Sequence, residues 1–231
     1  MDFSYSATAE RSSTRVRELF VQIYAWMTAG LLTTAAVAQF TASSDAMLAL
    51  IYGNPFTIWI LFILQIGLVM GISAAVWRLS AGVGMALFLA YAAFNGLTLS
   101  SIVRVYTEAS IALAFFVTAG TFAAMSAFGY LTKMDLSRIR SILYMALIGL
   151  VIASVANFFF ASSALYWIIS YVGVLIFVGL TAADTQKIKQ LAIEHGEANS
   201  GRVAVLGALT LYLDFINLFL FLLRILGGRR N

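Results

Sequence analysis

The sequence predicts an all-α membrane protein of about seven transmembrane helices, and three observations predict it. Hydrophobic residues fill 62% of the 231 positions and charged residues only 10%, with a mean hydropathy of +0.95. An ordinary soluble domain carries roughly 25% charged residues. Seven apolar runs are each long enough, at about 20 residues, to cross a ~30 Å hydrocarbon core. The connections between them are short, which makes successive spans antiparallel neighbours in one bundle.

Taken in order, the chain opens with a polar amino-terminal tail, 1–18, reading MDFSYSATAERSSTRVRE. It lacks the apolar core and small-residue cleavage site of a secretory signal, so insertion is expected to start with the first span itself. Spans are expected at 19–41, 55–77, 83–103, 110–131, 141–160, 165–183 and 203–226, within a membrane domain 19–227 followed by a basic tail, 228–231. Pro55, the only proline, begins the second run, where a missing N–H costs nothing. No helix breaker follows the sixth run before Gly196, so that helix is expected to continue past Asp184. Gly67, Gly71, Ser73 and Ala74, then Ala92, Ala93 and Gly96, then Gly173 and Gly179, are small residues that let helices approach closely in lipid.

Orientation follows from the placement of Lys and Arg. Arg11, Arg15 and Arg17 lie in the tail, Arg78 in the second connection, Lys133, Arg138 and Arg140 in the fourth, and Lys187, Lys189 and Arg202 in the sixth. Ten of the 14 basic residues therefore fall on one side, and the amino terminus is expected to be cytoplasmic. Strict alternation then places Arg224, Arg229 and Arg230 on the far side, against the same rule. Either the last run stops short of crossing or seven full spans tolerate a basic far-side tail; seven spans is the reading adopted. The formal charge of +4 reads as topology, because these residues sit in short clusters between apolar runs and form no face for nucleic acid.

Cysteine is absent and His195 is the only histidine, which argues against disulfides, thiolate chemistry and an ordinary zinc site. A hard cation held by carboxylates and backbone oxygens stays open. No phosphate-binding glycine motif, nucleophile elbow or nicotinamide fingerprint occurs, so neither an enzyme nor a resident cofactor is expected.

An ionised carboxylate at the centre of a membrane helix costs roughly 2.5–3.5 kcal/mol, which makes intramembrane acids functional candidates. Asp214, within LTLYLDFINLFLFLLRIL, is the clearest, and Thr210 and Asn217 share its helical face. Asp184 ends the sixth run in GLTAADTQKIKQ, where pairing with Lys187 one turn on is the simpler alternative. Asp214 lies about eleven residues inside its run and Asp184 about none, a depth mismatch of some 16 Å at 1.5 Å per residue. Arg78 ends the second run, where snorkelling alone explains it. Tyr91, Asn95 and Thr98 line one face of the third run; with Thr210 and Asn217 they form a possible polar path, although interhelical hydrogen bonding also explains them.

NGLTLSSI at 95–102, FGYLTKMDLS at 128–137, GLTAADTQKIK at 179–189 and above all GALTLYLDFINLFLFLLRILG at 207–227 resemble the Bax inhibitor-1 family, most closely its bacterial members. The resemblance covers the chain from about Glu18 onward. It implies a seven-helix bundle with the seventh helix central, and a pH-dependent leak or transport of Ca²⁺. It further implies that Asp184 and Asp214 form the pH sensor and cation gate, with Arg78 as partner to one carboxylate and Ca²⁺ held by the two aspartates. Some relatives carry an acidic residue in the second helix, where this chain has only Gln65 as a strongly polar side chain.

Physically, two carboxylates that share a site titrate as a unit. With one proton between them the pair carries a single negative charge that an arginine balances, and without it the site is net negative and attracts Ca²⁺. The expected partners are the lipid bilayer of the cell inner membrane, Ca²⁺ and H⁺, and possible membrane proteins. Two other readings compete. A non-transporting regulator of proteases or of cell-death and stress proteins would use the same helix surfaces. An intramembrane aspartyl protease would also pair two aspartates, but the residues before Asp214 are Leu211, Tyr212 and Leu213 rather than a GxGD-type motif.

Overall fold

The computed structural model describes residues 2–228 and 230, and side chains for 14–195, 198–228 and 230. The side chains of Arg11 and Arg229, two of the orienting basic residues, lie outside the described residues. The helices are α1 (Asp2–Ala42), α2 (Asp45–Tyr52), α3 (Pro55–Ala75), α4 (Ala81–Val105), α5 (Glu108–Leu131), α6 (Ser137–Phe160) and α7 (Ser163–Leu226). Among the described residues there is no β-structure beyond an isolated bridge at Tyr106.

Among the described residues, seven stretches are long and apolar enough to cross a membrane: Thr14–Ala42, Pro55–Ala75, Ala81–Val105, Glu108–Leu131, Ser137–Phe160, Ser163–His195 and Ala198–Leu226. The last two belong to α7, whose backbone leaves helical geometry at Asn199 (φ −130°, ψ 22°). Local chemistry sets the other boundaries. The Ser44 hydroxyl accepts from Met47 N at the start of α2, the Asn54 side chain accepts from Phe56 N ahead of Pro55, and the Thr107 and Ser162 hydroxyls accept from Ser110 N and Leu165 N. The short helix α2, in the first connection, was not expected from the sequence. The polar tail is also helical, continuous with the first span from Asp2.

The chain divides into two compact units, one of residues 1–104 with 188–212, the other of 105–187 with 213–231. In the first, Tyr212 is fully buried, with Phe88 and Tyr91 edge-on at 5.4 and 5.8 Å between ring centres. Its hydroxyl lies 2.6 Å from Thr34 Oγ1, which donates to Ala92 O at 2.9 Å. A side chain at Gly96 would press into Thr34 O and Val37, so α1 and α4 meet closely there.

The second unit is built around Leu150, Ile169, Ile176, Phe177, Leu180 and Leu218. Its last-span segment runs back along the sixth span. Phe177 and Phe221 stack at 5.9 Å, and each lies twenty-two residues from Asn199. Two backbone bonds join the carboxyl-terminal segment to the α4–α5 connection: Thr107 N to Gly228 O (3.2 Å) and Arg230 N to Val105 O (2.8 Å). The guanidinium of Arg230 also sits 3.3 Å from Glu108. The tail therefore lies at the end of the spans occupied by the third connection, as seven full crossings require, and an acid partner offsets part of its positive charge.

Candidate functional site

Asp184 and Asp214 are both buried, with 1% and 4% of their surface exposed. The sixth span continues through Asp184 to His195, as the missing helix breaker predicted. That extension removes the depth mismatch. Asp184 lies fifteen residues before Asn199 and Asp214 fifteen after it, so a chain that returns at Asn199 brings them to one level. Consistent with this, Asp214 lies within electrostatic reach of Asp184, and the charge of Arg140 acts on both.

The basic partner of Asp184 is Arg140. Its Nε donates to Asp184 Oδ1 in an ion pair, and its guanidinium lies 4.9 Å over the Tyr144 ring. Tyr144 Oη donates to Asp184 Oδ2 at 3.2 Å. Both residues sit on α6, one turn apart, so a single helical face delivers a cation and a hydroxyl to the same carboxylate. Arg78, the partner that the resemblance implies, belongs to the first unit and is exposed just beyond α3. The snorkelling reading fits its position. Lys187, the other proposed partner of Asp184, is displaced from that role by the same pair.

With Oδ1 and Oδ2 of Asp184 both engaged, the open valence of the site belongs to Asp214. Its Oδ2 is buried and has no hydrogen-bond partner among the described residues. A buried carboxyl oxygen left without a partner costs about 1–3 kcal/mol, more when charged. Two carboxylates beside one guanidinium leave one negative charge to be balanced by a proton or by a cation. No cluster of three or more His, Cys, Asp or Glu that would hold a metal occurs among the described residues. A cation at this pair must therefore draw its remaining ligands from neutral oxygens, and must displace Arg140 to reach Asp184.

The neighbouring residues lock the sixth span in place. Thr185 Oγ1 and Ser126 Oγ of α5 lie 3.0 Å apart, both buried. A side chain at Gly129 would overlap the Ala182 carbonyl, so α5 and the sixth span touch backbone to backbone. Phe215 packs edge-on against Phe115 and Phe122 at 5.6 and 5.5 Å beside Asp214.

The residues proposed as a polar path divide between the units. In the first, the Asn95 side chain lies near the Tyr91 and Tyr212 hydroxyls, and Thr98 donates to Asn95 O at 2.8 Å. Thr210 is half-buried in the same unit. In the second, Asn217 donates to Leu213 O at 2.8 Å, within its own helix. Arg140 and Tyr144 were missed because Arg140 counted only as one of the basic residues that orient the chain. The i, i+4 pairing of Arg140 with a tyrosine at the head of the fifth run was the available signal.

A family model described as "Inhibitor of apoptosis-promoting Bax1" matches residues 16–231. The chain is 54% identical over 212 residues to the inner membrane protein YbhL of Escherichia coli (strain K12), covering 90% of this chain and 91% of that one. It is 44% identical to an uncharacterized protein of Borreliella burgdorferi, covering 97% and 98%, and 43% identical to one of Deinococcus radiodurans, covering 96% and 95%.

Proposed function

Since the chain belongs to the Bax inhibitor-1 family, we propose that it is a multi-pass inner membrane protein that leaks Ca²⁺ under proton control. The gate in this reading is the Asp184–Asp214 pair, with Arg140 and Tyr144 as its latch. The observation that carries the reading is the unpartnered, buried Oδ2 of Asp214 beside a carboxylate already held by a guanidinium. One proton shared by the pair balances Arg140 and keeps the site neutral and closed. Loss of that proton leaves a net negative site, and an arriving Ca²⁺ competes with Arg140 for Asp184. The inner-membrane location rests on the printed name of the E. coli relative and on the seven apolar helices. A seventh helix at the centre of the bundle accords with the last span having the largest buried share of the seven, 61% of its apolar window.

A second reading has a specific observation in its favour. The fifth span is buried over only 6% of its apolar window, leaving an apolar face for lipid or for another membrane helix. Such a face suits a regulator that works by helix contact, in keeping with the family model's description as an inhibitor. Flux of Ca²⁺, K⁺ and H⁺ from liposomes holding the purified protein alone separates the two. A Ca²⁺ leak in the absence of any partner supports the gate, and ion-tight vesicles throughout favour the regulator.

A further inference from the structure

Three consecutive residues of the sixth span engage three different segments. Asp184 holds α6 through Arg140 and Tyr144, Thr185 meets Ser126 of α5, and Gln186 reaches the connection between them. Gln186 Oε1 accepts from Leu136 N at 2.8 Å, and its Nε2 donates to Met134 O at 2.7 Å. Both halves of one amide are thus spent on backbone, which fixes the orientation of the amide as well as its position. Leu136 is the N-cap residue of α6, and its carbonyl accepts from Arg140 N at 2.8 Å. A closed circuit results: Asp184 to Gln186 along the span, Gln186 to Leu136, Leu136 to Arg140 by one helical turn, and Arg140 back to Asp184.

Resting on the leak reading above, we infer that Gln186 is a positioning residue that sets the height of the first turn of α6 and so holds the Arg140 guanidinium on Asp184. An amide suits this work because it does not titrate. The Arg140 pair opens or closes with the proton, while the Gln186 clamp persists at every pH and returns α6 to the same register. Without the clamp, the start of α6 keeps only the non-directional packing of Leu136 on Ala182 and Ala183, and Arg140 reaches Asp184 from a wider spread of positions.

The chain has no cysteine, so a spin-label pair at Arg138→Cys and Lys187→Cys reports the position of α6 without background. In the otherwise unaltered chain the distance distribution is expected to be narrow at pH 6. Gln186→Leu, which loses both bonds, should broaden it and reduce the ratio of Ca²⁺ flux at pH 8 to that at pH 6 by at least about fivefold, since each lost hydrogen bond is worth about that factor. Gln186→Glu keeps the acceptor for Leu136 N but not the donor for Met134 O, and its distance distribution at pH 8, where the new carboxylate is ionised, should fall between the two, which separates loss of the clamp from general misfolding. A distribution that stays narrow in Gln186→Leu overturns the clamp, as does a broadened one with an unchanged flux ratio. Ion-tight vesicles with the unaltered protein would defeat the leak reading instead, and the label distances would then judge the clamp alone.

Discussion

At the scale of single residues, the site is an imbalance of charge and hydrogen bonds. Arg140 satisfies one oxygen of Asp184 and Tyr144 the other, while Asp214 Oδ2 is left without a partner. Removing one partner of a fully buried pair costs about 3–5 kcal/mol, but the Arg140 side chain is 35% exposed, and solvent screening reduces the expected effect to about 1–2 kcal/mol. Arg140→Gln is therefore expected to raise the Ca²⁺ leak at pH 6 roughly tenfold. Arg78→Gln, an exposed change, should stay within about twofold in the same assay. Equal effects of the two substitutions would return the partner role to Arg78. The two aspartates were legible in the sequence because a charge inside an apolar run is costly wherever it points. Arg140 was not, because a basic residue at a helix end has a sufficient explanation in topology, and only the fold shows which carboxylate it meets.

At the scale of elements, most helix ends were readable and the decisive one was not. Pro55 marks its start by side-chain chemistry in the sequence itself. Asn199 is neither glycine nor proline and interrupts α7 between two polar stretches, where nothing in the sequence distinguishes it from its neighbours. Arg202 supports that break, donating to Asn199 Oδ1 at 2.5 Å and to Leu79 O at 2.9 Å. The C-cap of α6 is Ala161 at φ 49°, a left-handed conformation that glycine adopts without strain. Ala161→Gly should stabilise the protein by about 0.5–1 kcal/mol, the relief of left-handed strain less the entropy of a freer unfolded chain, read as a higher Tm in detergent. Gly129→Ala should act the other way, by about 1–3 kcal/mol, because α5 must move off the Ala182 carbonyl. At the start of α6, the bonds from Ser137 to the Asp135 carboxylate, backbone N–H first and hydroxyl second, hold its pKa below the usual carboxylate range. A lowered folded pKa means that this contribution is present at neutral pH and is lost as pH falls through it. Amide-exchange protection at the first turn of α6 should therefore drop only below the ordinary aspartate value of ~3.9, far from the window in which the gate is expected to work.

At the scale of the whole chain, seven spans follow from apolar length alone, and the described carboxyl-terminal residues bear this out by pairing with the third connection. The placement of basic residues predicts that the first and third connections face away from the cytoplasm and that the fourth faces it. Because the chain has no cysteine, this is directly testable in spheroplasts. A membrane-impermeant thiol reagent should label Asp45→Cys from outside and leave Lys133→Cys unlabelled until the membrane is opened; the reverse pattern would invert the topology. Asn199, fifteen residues from each aspartate, carries no breaker signal of its own, which is why the sequence alone left a mismatch of some 16 Å.

The central claim is that one proton on the Asp184–Asp214 pair controls a Ca²⁺ path. Ca²⁺ flux through the purified protein in proteoliposomes, followed from pH 6 to pH 8, tests it most directly. The leak should rise with pH in the unaltered protein, and Asp184→Asn and Asp214→Asn should each flatten that response. A response that survives both substitutions unchanged would contradict the account.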